Sequence, residues 1–395
     1  MIKRETGFSI VELLIIMLIF GFVLAAGSDM FVGVLTNYKQ QSKITETSIE
    51  GVIGLEMLRR DIESAGYGLP WLIPSGTTYL EAVPAAAAAY NDSPTTGVPA
   101  TSGAPRAVLS GDAPAAGWNG TDYLVIKAVN AAASDVSQKW TYLKPGNATT
   151  VWTPDTENVN VRSDGTVDNT VRVIVIAPGT SDATRRTLAT SSTGSFFAQF
   201  NNPAGSTAEF SSAAETRIMY GVNPNTNLRM PFNRADYYVA VPASGLPLRC
   251  ANGTGILYKS ILNQGDGNFG TPLPLLDCVA DMQVIYRFDM DEDGTVSTTA
   301  NADGSAISTS EGATIATVQS TMSSAATLRT RLKEVRVYLL AQEGQREKNS
   351  VRSTNTILVG ESSVLGRNFD LTAITDWQRY RWKVYTLVVR PNNLR

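Results

Sequence analysis

Around residue 290 the sequence reads Asp289-Met-Asp291-Glu-Asp293-Gly294-Thr295. Alternate carboxylates at this spacing can converge on a hard cation, a glycine permits the sharp turn, and the next carbonyl can supply another oxygen. The pattern predicts either a calcium loop, with Asp289, Asp291, Asp293 and Thr295 as ligands, or a solvated acidic turn. In a helical calcium loop the twelfth position carries a bidentate glutamate; here it is Ala300, so an ion would be held weakly. A second chemically unusual residue is Glu12, which stands near the start of an apolar run that continues from Leu13 to Gly27. A carboxylate in hydrocarbon costs a few kcal/mol unless it is paired or neutralised.

Much chemistry is excluded by composition. The chain has 395 residues and no histidine, which removes Ser-His-Asp, Cys-His and most zinc sites. The two cysteines, Cys250 and Cys278, are too few for a four-ligand zinc centre. In an exported chain they read as one disulfide, which would stabilise the fold by roughly 3–4 kcal/mol; two buried free thiols are the alternative. A net charge of −3 gives no reason to expect a nucleic-acid partner. Only 17% of residues are charged, a balance that suits a turn-rich extracellular β protein. No cofactor other than calcium is suggested, and no catalytic motif appears. The chain reads as non-enzymatic.

Glu12 lies in a segment that starts close to the N-terminus. Counted from Phe8, the apolar segment has about 20 residues, enough to span the hydrocarbon core as a helix. Lys3 and Arg4 precede it, so the leader is expected to stay cytoplasmic and the remainder to be exported. Glu12 follows Phe8 by four residues and so shares its helical face. A cut after Gly7 would create an α-ammonium on Phe8 that could pair with the Glu12 of a neighbouring subunit. Two other readings are an uncleaved anchor and a signal-peptidase site at Ala25-Ala26-Gly27. Neither accounts for a carboxylate among the first apolar residues.

Gly7-Phe-Ser-Ile-Val-Glu12, between a basic leader and an apolar helix, resembles the type IV prepilin cleavage motif. The resemblance implies cutting between Gly7 and Phe8 by prepilin peptidase, N-methylation of Phe8, and a docking role for Glu12. The stretch from Leu55 to Gly68, ending Arg-Asp-Ile-x-x-Ala-Gly-Tyr-Gly, resembles the helix end of PilW-type minor pilins and the related GspJ-type pseudopilins. Cys278 to Gly294, Val335-Arg-Val-Tyr-Leu-Leu340 and Tyr380 to Arg390 also resemble PilW-type segments. The middle, roughly 73–235, shows no such likeness.

The periodicity predicts one helix from Phe8 to about Ala65, near 85 Å long. Its second half is amphipathic, with Phe31, Val34, Leu35, Tyr38, Ile49, Val52, Ile53, Leu55, Leu58 and Ile62 as apolar positions. Glu56 with Arg60, and Arg59 with Glu63, form i,i+4 pairs, and Gly66, Gly68 and Pro70 end the helix. Residues 73–117 read as a long Pro/Ala/Gly-rich loop. Strands are expected at 123–128, 171–177, 237–241, 256–259, 281–288, 333–341 and 379–388. In the last three, Met282, Val284, Tyr286 and Phe288, then Val335, Val337 and Leu339, then Tyr380, Trp382, Val384 and Val388 form the packed face; the alternate residues face outward. The expected fold is α+β: a long N-terminal helix packed on a C-terminal antiparallel sheet with large loop insertions. The domains are a leader (1–7), a transmembrane or filament-core helix (8–27), an amphipathic helix (28–66) and a β-rich head (67–395), with an inserted lobe at about 143–225.

Weaker signals have bland readings. Gly265-Asp-Gly-Asn-Phe-Gly270 matches Gly-x-Gly-x-x-Gly but lacks the βαβ context, so it reads as a turn. Sequons at Asn91, Asn119, Asn147 and Asn252 indicate exposed loops. Arg379, Arg381 and Lys383 read as a solvated or intersubunit strand face. The resemblance implies a minor pilin of an assembly-initiating or tip complex, with prepilin peptidase, other minor pilins, the major pilin, the assembly platform and a tip adhesin as partners. It also implies an inner-membrane precursor, its head in the periplasm, that moves to the filament. The alternatives are a GspJ-like pseudopilin of type II secretion and a membrane-anchored glycan-binding or enzymatic module.

Overall fold

The computed structural model describes residues 9–93, 103–112, 120–132, 134–150, 152–154, 170–181, 184–200, 207–347 and 352–394. A single helix, α1 (Ile10–Ser64), starts at the Ser9 N-cap and runs unbroken for 55 residues. Leu58, Ile62 and Ala65 at its C-terminal end are fully buried. Gly66 then turns the chain with φ +83°, and its amide donates to the Lys127 carbonyl at 3.0 Å. The pairs Arg59–Glu63 and Arg60–Glu56 lie on the solvent side at 3.1 and 3.6 Å.

The buried face of α1 differs from the one expected. Val52 and Ile53 are 59% and 65% exposed, while Gly51, Gly54, Leu55, Leu58 and Asp61 face the sheet. A Cβ at Gly54 would stand 1.9 Å from the Leu275 carbonyl oxygen. Backbone contact of this kind requires glycine, which the apolar periodicity does not register.

After α1 the chain forms a one-turn helix, α2 (Ala85–Ala88), then strands β1 (Val108–Asp112) and β2 (Asp122–Ala128). A separate sheet follows from β3 (Trp140–Lys144), β4 (Ala148–Thr149), β5 (Arg172–Ala177), β6 (Thr187–Leu188), β7 (Ala198–Gln199) and β8 (Arg217–Asn223). Val173, Val175, Phe200 and Met219 give it its own core. The chain then re-enters the main sheet through β9 (Asn233–Ala240), β10 (Gly255–Ile261), β11 (Leu273–Phe288), β12 (Thr298–Asn301) and β13 (Ile307–Thr309). Two helices, α3 (Ile315–Ser323) and α4 (Ala325–Arg331), precede β14 (Leu332–Glu343). A hairpin, β15 (Thr356–Gly360) with β16 (Gly366–Asp370), and then β17 (Arg381–Val389) complete it.

The main sheet is antiparallel, in the order β1-β2-β9-β10-β11-β12-β13, with β14 joining β11 to β17. The α+β architecture and the helix-on-sheet packing are those expected. Helices α3 and α4 were not legible because their Ser/Thr-rich sequence has little apolar period; Thr314 and Ser324 cap them.

The expectation of a sheet packed on one side is corrected. Met282, Val284, Tyr286 and Phe288 do lie in the same buried core as Leu55, Leu58 and Ile62 of α1, but Asp281 and Gln283 on the other face are buried as well. The β15–β16 hairpin covers that second face, with Val359, Leu365 and Phe369 meeting Ile285 and Leu340. Arg367 of the hairpin pairs with Asp281 at 2.9 Å. Burial still pushes the Asp281 carboxyl up to about 6, against the pull of Arg367. In β17 both faces are used: Trp382 and Val384 pack under the hairpin side, Leu387 and Val389 pack in the helix-side core, and Val388 is 48% exposed.

The loop expected at 73–117 is tied down by buried charge. From it, Glu81 and Asp92 accept from Lys127 of β2 at 2.6 and 2.7 Å; Glu81 and Lys127 are buried and Asp92 is partly so. Arg234 of β9 reaches Glu81 at 3.2 Å, the Asn91 amide oxygen at 2.8 Å and Asp236 in a fork at 2.7 and 2.8 Å. Arg106 closes on Asp92 at 2.6 Å, and the Tyr123 hydroxyl donates to Asp236 at 2.6 Å. Burial opposes ionisation of Asp92, yet Lys127 and Arg106 hold its carboxyl below the usual range. Asn91 is therefore a packed, hydrogen-bonded residue, not an exposed loop position. Asn119 lies outside the described residues.

Candidate functional site: the bare apolar helix, its acid and the acidic loop

Residues Ile10–Val32 form a helix long and apolar enough to cross a membrane, and none of its described residues is buried against the rest of the protein. Ile10, Leu14, Leu18, Phe22 and Phe31 are each more than half exposed. Glu12 occupies the third helical position. Its carboxylate accepts from the Ser9 amide at 3.1 Å while the Ser9 hydroxyl caps the helix. This reciprocal capping satisfies an otherwise orphaned N–H and aims the acid back toward the chain's N-terminal side. Gly7 and Phe8 lie outside the described residues.

The other end of α1 also meets the head through an acid. Asp61 accepts from Lys259 of β10 at 2.5 Å and from the Tyr237 hydroxyl of β9. It belongs to the Arg-Asp-Ile segment whose sequence was noted only as a helix end. A groove of about 590 Å³ opens beside it, edged by Arg60, Asn130, Gln138 and Asn392.

The acidic loop joins β11 to β12, so it sits in a hairpin and not between helices. Carboxylate oxygens of Asp289, Asp291 and Asp293 lie within 4.8 Å of one another. Asp289 is buried and accepts from the Asp293 and Gly294 amides at 3.1 and 3.0 Å. Lys333 stands 3.4 Å from the same carboxylate. Burial raises the Asp289 carboxyl, but the Gly294 amide and Lys333 outweigh it and hold it below the usual value. Thr295 donates its amide to Asp293 at 2.6 Å. Ala300 is enclosed in β12 opposite Tyr286. Three carboxylates thus lie close together, Lys333 stands against one of them, and Ala300 occupies the place where a helical calcium loop has its glutamate.

Cys250 and Cys278 form a disulfide with Cα atoms 4.9 Å apart. Gly265–Gly270 makes the turn from β10 to β11, with Gly267 at φ +76° and its carbonyl accepting from the Val83 amide. Lys383 pairs with Glu343 at 3.0 Å, and Arg381 pairs with Glu347, so this basic face is matched within the chain.

Residues 236–393 match the family model described as type IV pilus-assembly protein W. Over this stretch the chain is similar to the PilW family. That region runs from β9 to just beyond β17 and carries the disulfide, the acidic loop and the covering hairpin. The PilW match leaves out α1, β1, β2 and the whole second sheet. Among solved structures, a type IV-like pilin from Thermus thermophilus is 15% identical, over 42% of this chain and 70% of that one, with a TM-score of 0.22. No curated protein matches the chain.

Proposed function

We propose that the chain is a minor pilin of the assembly-initiating or tip complex of a type IV pilus. The observation that carries this reading is the division of α1. Its first half is bare, apolar and begins with an acid, whereas its last turns, from Gly51 onward, are docked on a PilW-type sheet. Prepilin peptidase would cut between Gly7 and Phe8, and Phe8 would be N-methylated. In the inner-membrane precursor the head would stand in the periplasm; on extraction, bare helices would bundle in the filament. A head much larger than its slender helix is hard to repeat at every lattice position, which favours a low-abundance subunit among other minor pilins, the major pilin, the assembly platform and a tip adhesin.

Glu12 would be matched in the filament by the Phe8 ammonium of a neighbour. The variant Glu12→Leu is expected to remain in the membrane fraction and to drop out of sheared filaments by tenfold or more. A carboxylate in hydrocarbon is worth about 2.5–3.5 kcal/mol, and each 1.4 kcal/mol is a factor of about ten. Incorporation equal to wild type, measured by quantitative mass spectrometry of filaments, would sink the pairing.

The acidic loop would take calcium weakly, through Asp289, Asp291, Asp293 and the Thr295 carbonyl. With a Kd of about 1 mM, 10 mM calcium would add about 1.4 kcal/mol, or roughly 2 °C in Tm. Equal melting with calcium and with chelator, at matched ionic strength, would overturn it.

A further inference from the structure

The main sheet curls until its early strands meet its middle. In the sheet order β2 is separated from β11 by β9 and β10, yet the Asp122 carboxylate of β2 accepts from the Val284 amide of β11 at 2.6 Å. The pairing of β11 leaves the gap that Asp122 fills. On the edge away from β14, β11 pairs with β10 as far as Val279 and with β12 from Ile285 onward, so the Val284 amide meets no strand there. A second side-chain bond closes the same seam, from the Ser110 hydroxyl of β1 to the Ala302 carbonyl just after β12 at 2.7 Å.

An acid pair sits in this seam. Asp112, the last residue of β1, stands directly across from Asp122, the first of β2. Asp122 is 2% exposed, and no N–H group among the described residues reaches its Oδ1. Its side chain is instead hydrogen-bonded to that of Asp112. Two carboxyl groups bond in this way only with a proton between them. Burial, with the charges of Asp112 and Asp281, pushes the Asp122 carboxyl well above the usual range, against the pull of the Val284 amide. The other titratable groups facing the pair are the Tyr90 hydroxyl beyond α2 and the Tyr286 hydroxyl of β11. Arg367 of β16 approaches β2 at Gly120 and bonds Asp281 at 2.9 Å. The residues that link the two aspartates, 113–121, carry no charge.

We propose that Asp112 and Asp122 form a proton-held latch: sharing one proton they keep β1 and β2 closed against β11 and β12, and loss of that proton opens the seam. Asp112 is exposed, so the proton passes to water from its side of the pair. Two ionised carboxylates left in a dry site repel each other and draw in water. Asp122 has the higher value in the folded state. The latch's stabilisation is therefore complete below the ordinary carboxylate value, and it is lost as pH rises through the raised value of the folded protein. The head is tight in acid and loosens at this seam toward alkaline pH.

The test is hydrogen exchange read by mass spectrometry on the full chain in detergent, from about pH 4 to about pH 9, corrected for intrinsic base catalysis. Protection of peptides from β1 and from β11 around Val284 is expected to fall by up to about tenfold per pH unit, then to level off where the folded latch ionises. Peptides from β5 in the second sheet should show no such fall. Asp281 titrates nearby as well, so variants assign the effect. In Asp122→Asn the amide keeps the shape, accepts from Val284 and donates to Asp112, and most of the pH dependence should vanish. Asp112→Asn removes a like charge and offers Asp122 a donor, so its levelling-off should move to lower pH. Asp112 is exposed, and its variant decides the matter alone if circular dichroism finds Asp122→Asn unfolded. Protection at the seam that ignores pH, an equal fall in β5, a wild-type dependence in folded Asp122→Asn, or an unmoved level in Asp112→Asn would each overturn the latch. None of these outcomes depends on the pilus reading, which filament incorporation tests separately.

Discussion

Replacing Arg234 by methionine is expected to lower the unfolding free energy of the head by about 3–5 kcal/mol, and Lys127→Met by a smaller amount. Each cation is fully buried and serves more than one acid. Arg234 touches Glu81 and holds Asp236 in a fork, while Lys127 lies between Glu81 and Asp92. Removing Arg234 leaves Asp236 in a dry site without its counter-charge, whereas removing Lys127 leaves Glu81 and Asp92 with one cation each, Arg234 and Arg106. The neutral replacement gains some apolar contact, worth at most a kcal/mol or two, so the stranded charge decides the sign. Urea unfolding of the chain in detergent measures it, and the double variant Glu81→Gln with Lys127→Met should recover part of the loss. A loss below about 1 kcal/mol for both single variants would mean that the network is not the strap that holds residues 79–106 to the sheet.

The same network marks what the sequence could convey. Lys127 and Arg234 sit at alternate positions of β2 and β9, whose other face is Leu124, Ile126, Ala235 and Tyr237. Alternation alone assigns such residues to solvent, and it does so correctly only if nothing covers the outer face. Here a segment too poor in periodic apolar residues to read as structure supplies the cover, and it supplies the acids. A lone Glu81 and Asp92 in a nearly uncharged Pro/Ala stretch are the only hint. The hairpin over Asp281 produced the same kind of error, because long-range cover leaves no local period. By contrast, α1 and the strands at β2, β5 and β14 were legible because local propensity and tertiary burial agree there. Glu12 stood out for the opposite reason, as a residue that violates its surroundings. The seam at Asp122 left no trace, since only the fold brings β2 back to β11.

Gly54→Ala opposes two effects of known sign. In an exposed helix the substitution would stabilise by about 1 kcal/mol, since alanine loses less backbone entropy. At this position the added methyl would overlap the Leu275 carbonyl oxygen, 1.9 Å from the Cβ site. That oxygen belongs to the backbone of β11, so no side-chain rotation relieves the overlap. Either α1 rises from the sheet or β11 bends away, and in both cases contacts of Leu55 and Leu58 with the core are lost. Overpacking of this kind costs about 1–3 kcal/mol and more where backbone must move, so the net expectation is destabilisation of about 2 kcal/mol. Gly27→Ala, on the bare part of the same helix with no atom within 4 Å of its Cβ site, should leave the head's stability unchanged. The pair isolates the contact from propensity. If urea unfolding found Gly54→Ala as stable as wild type or more so, α1 would not be seated on β11 by backbone contact, and the division of the helix into bare and docked parts would have to be redrawn.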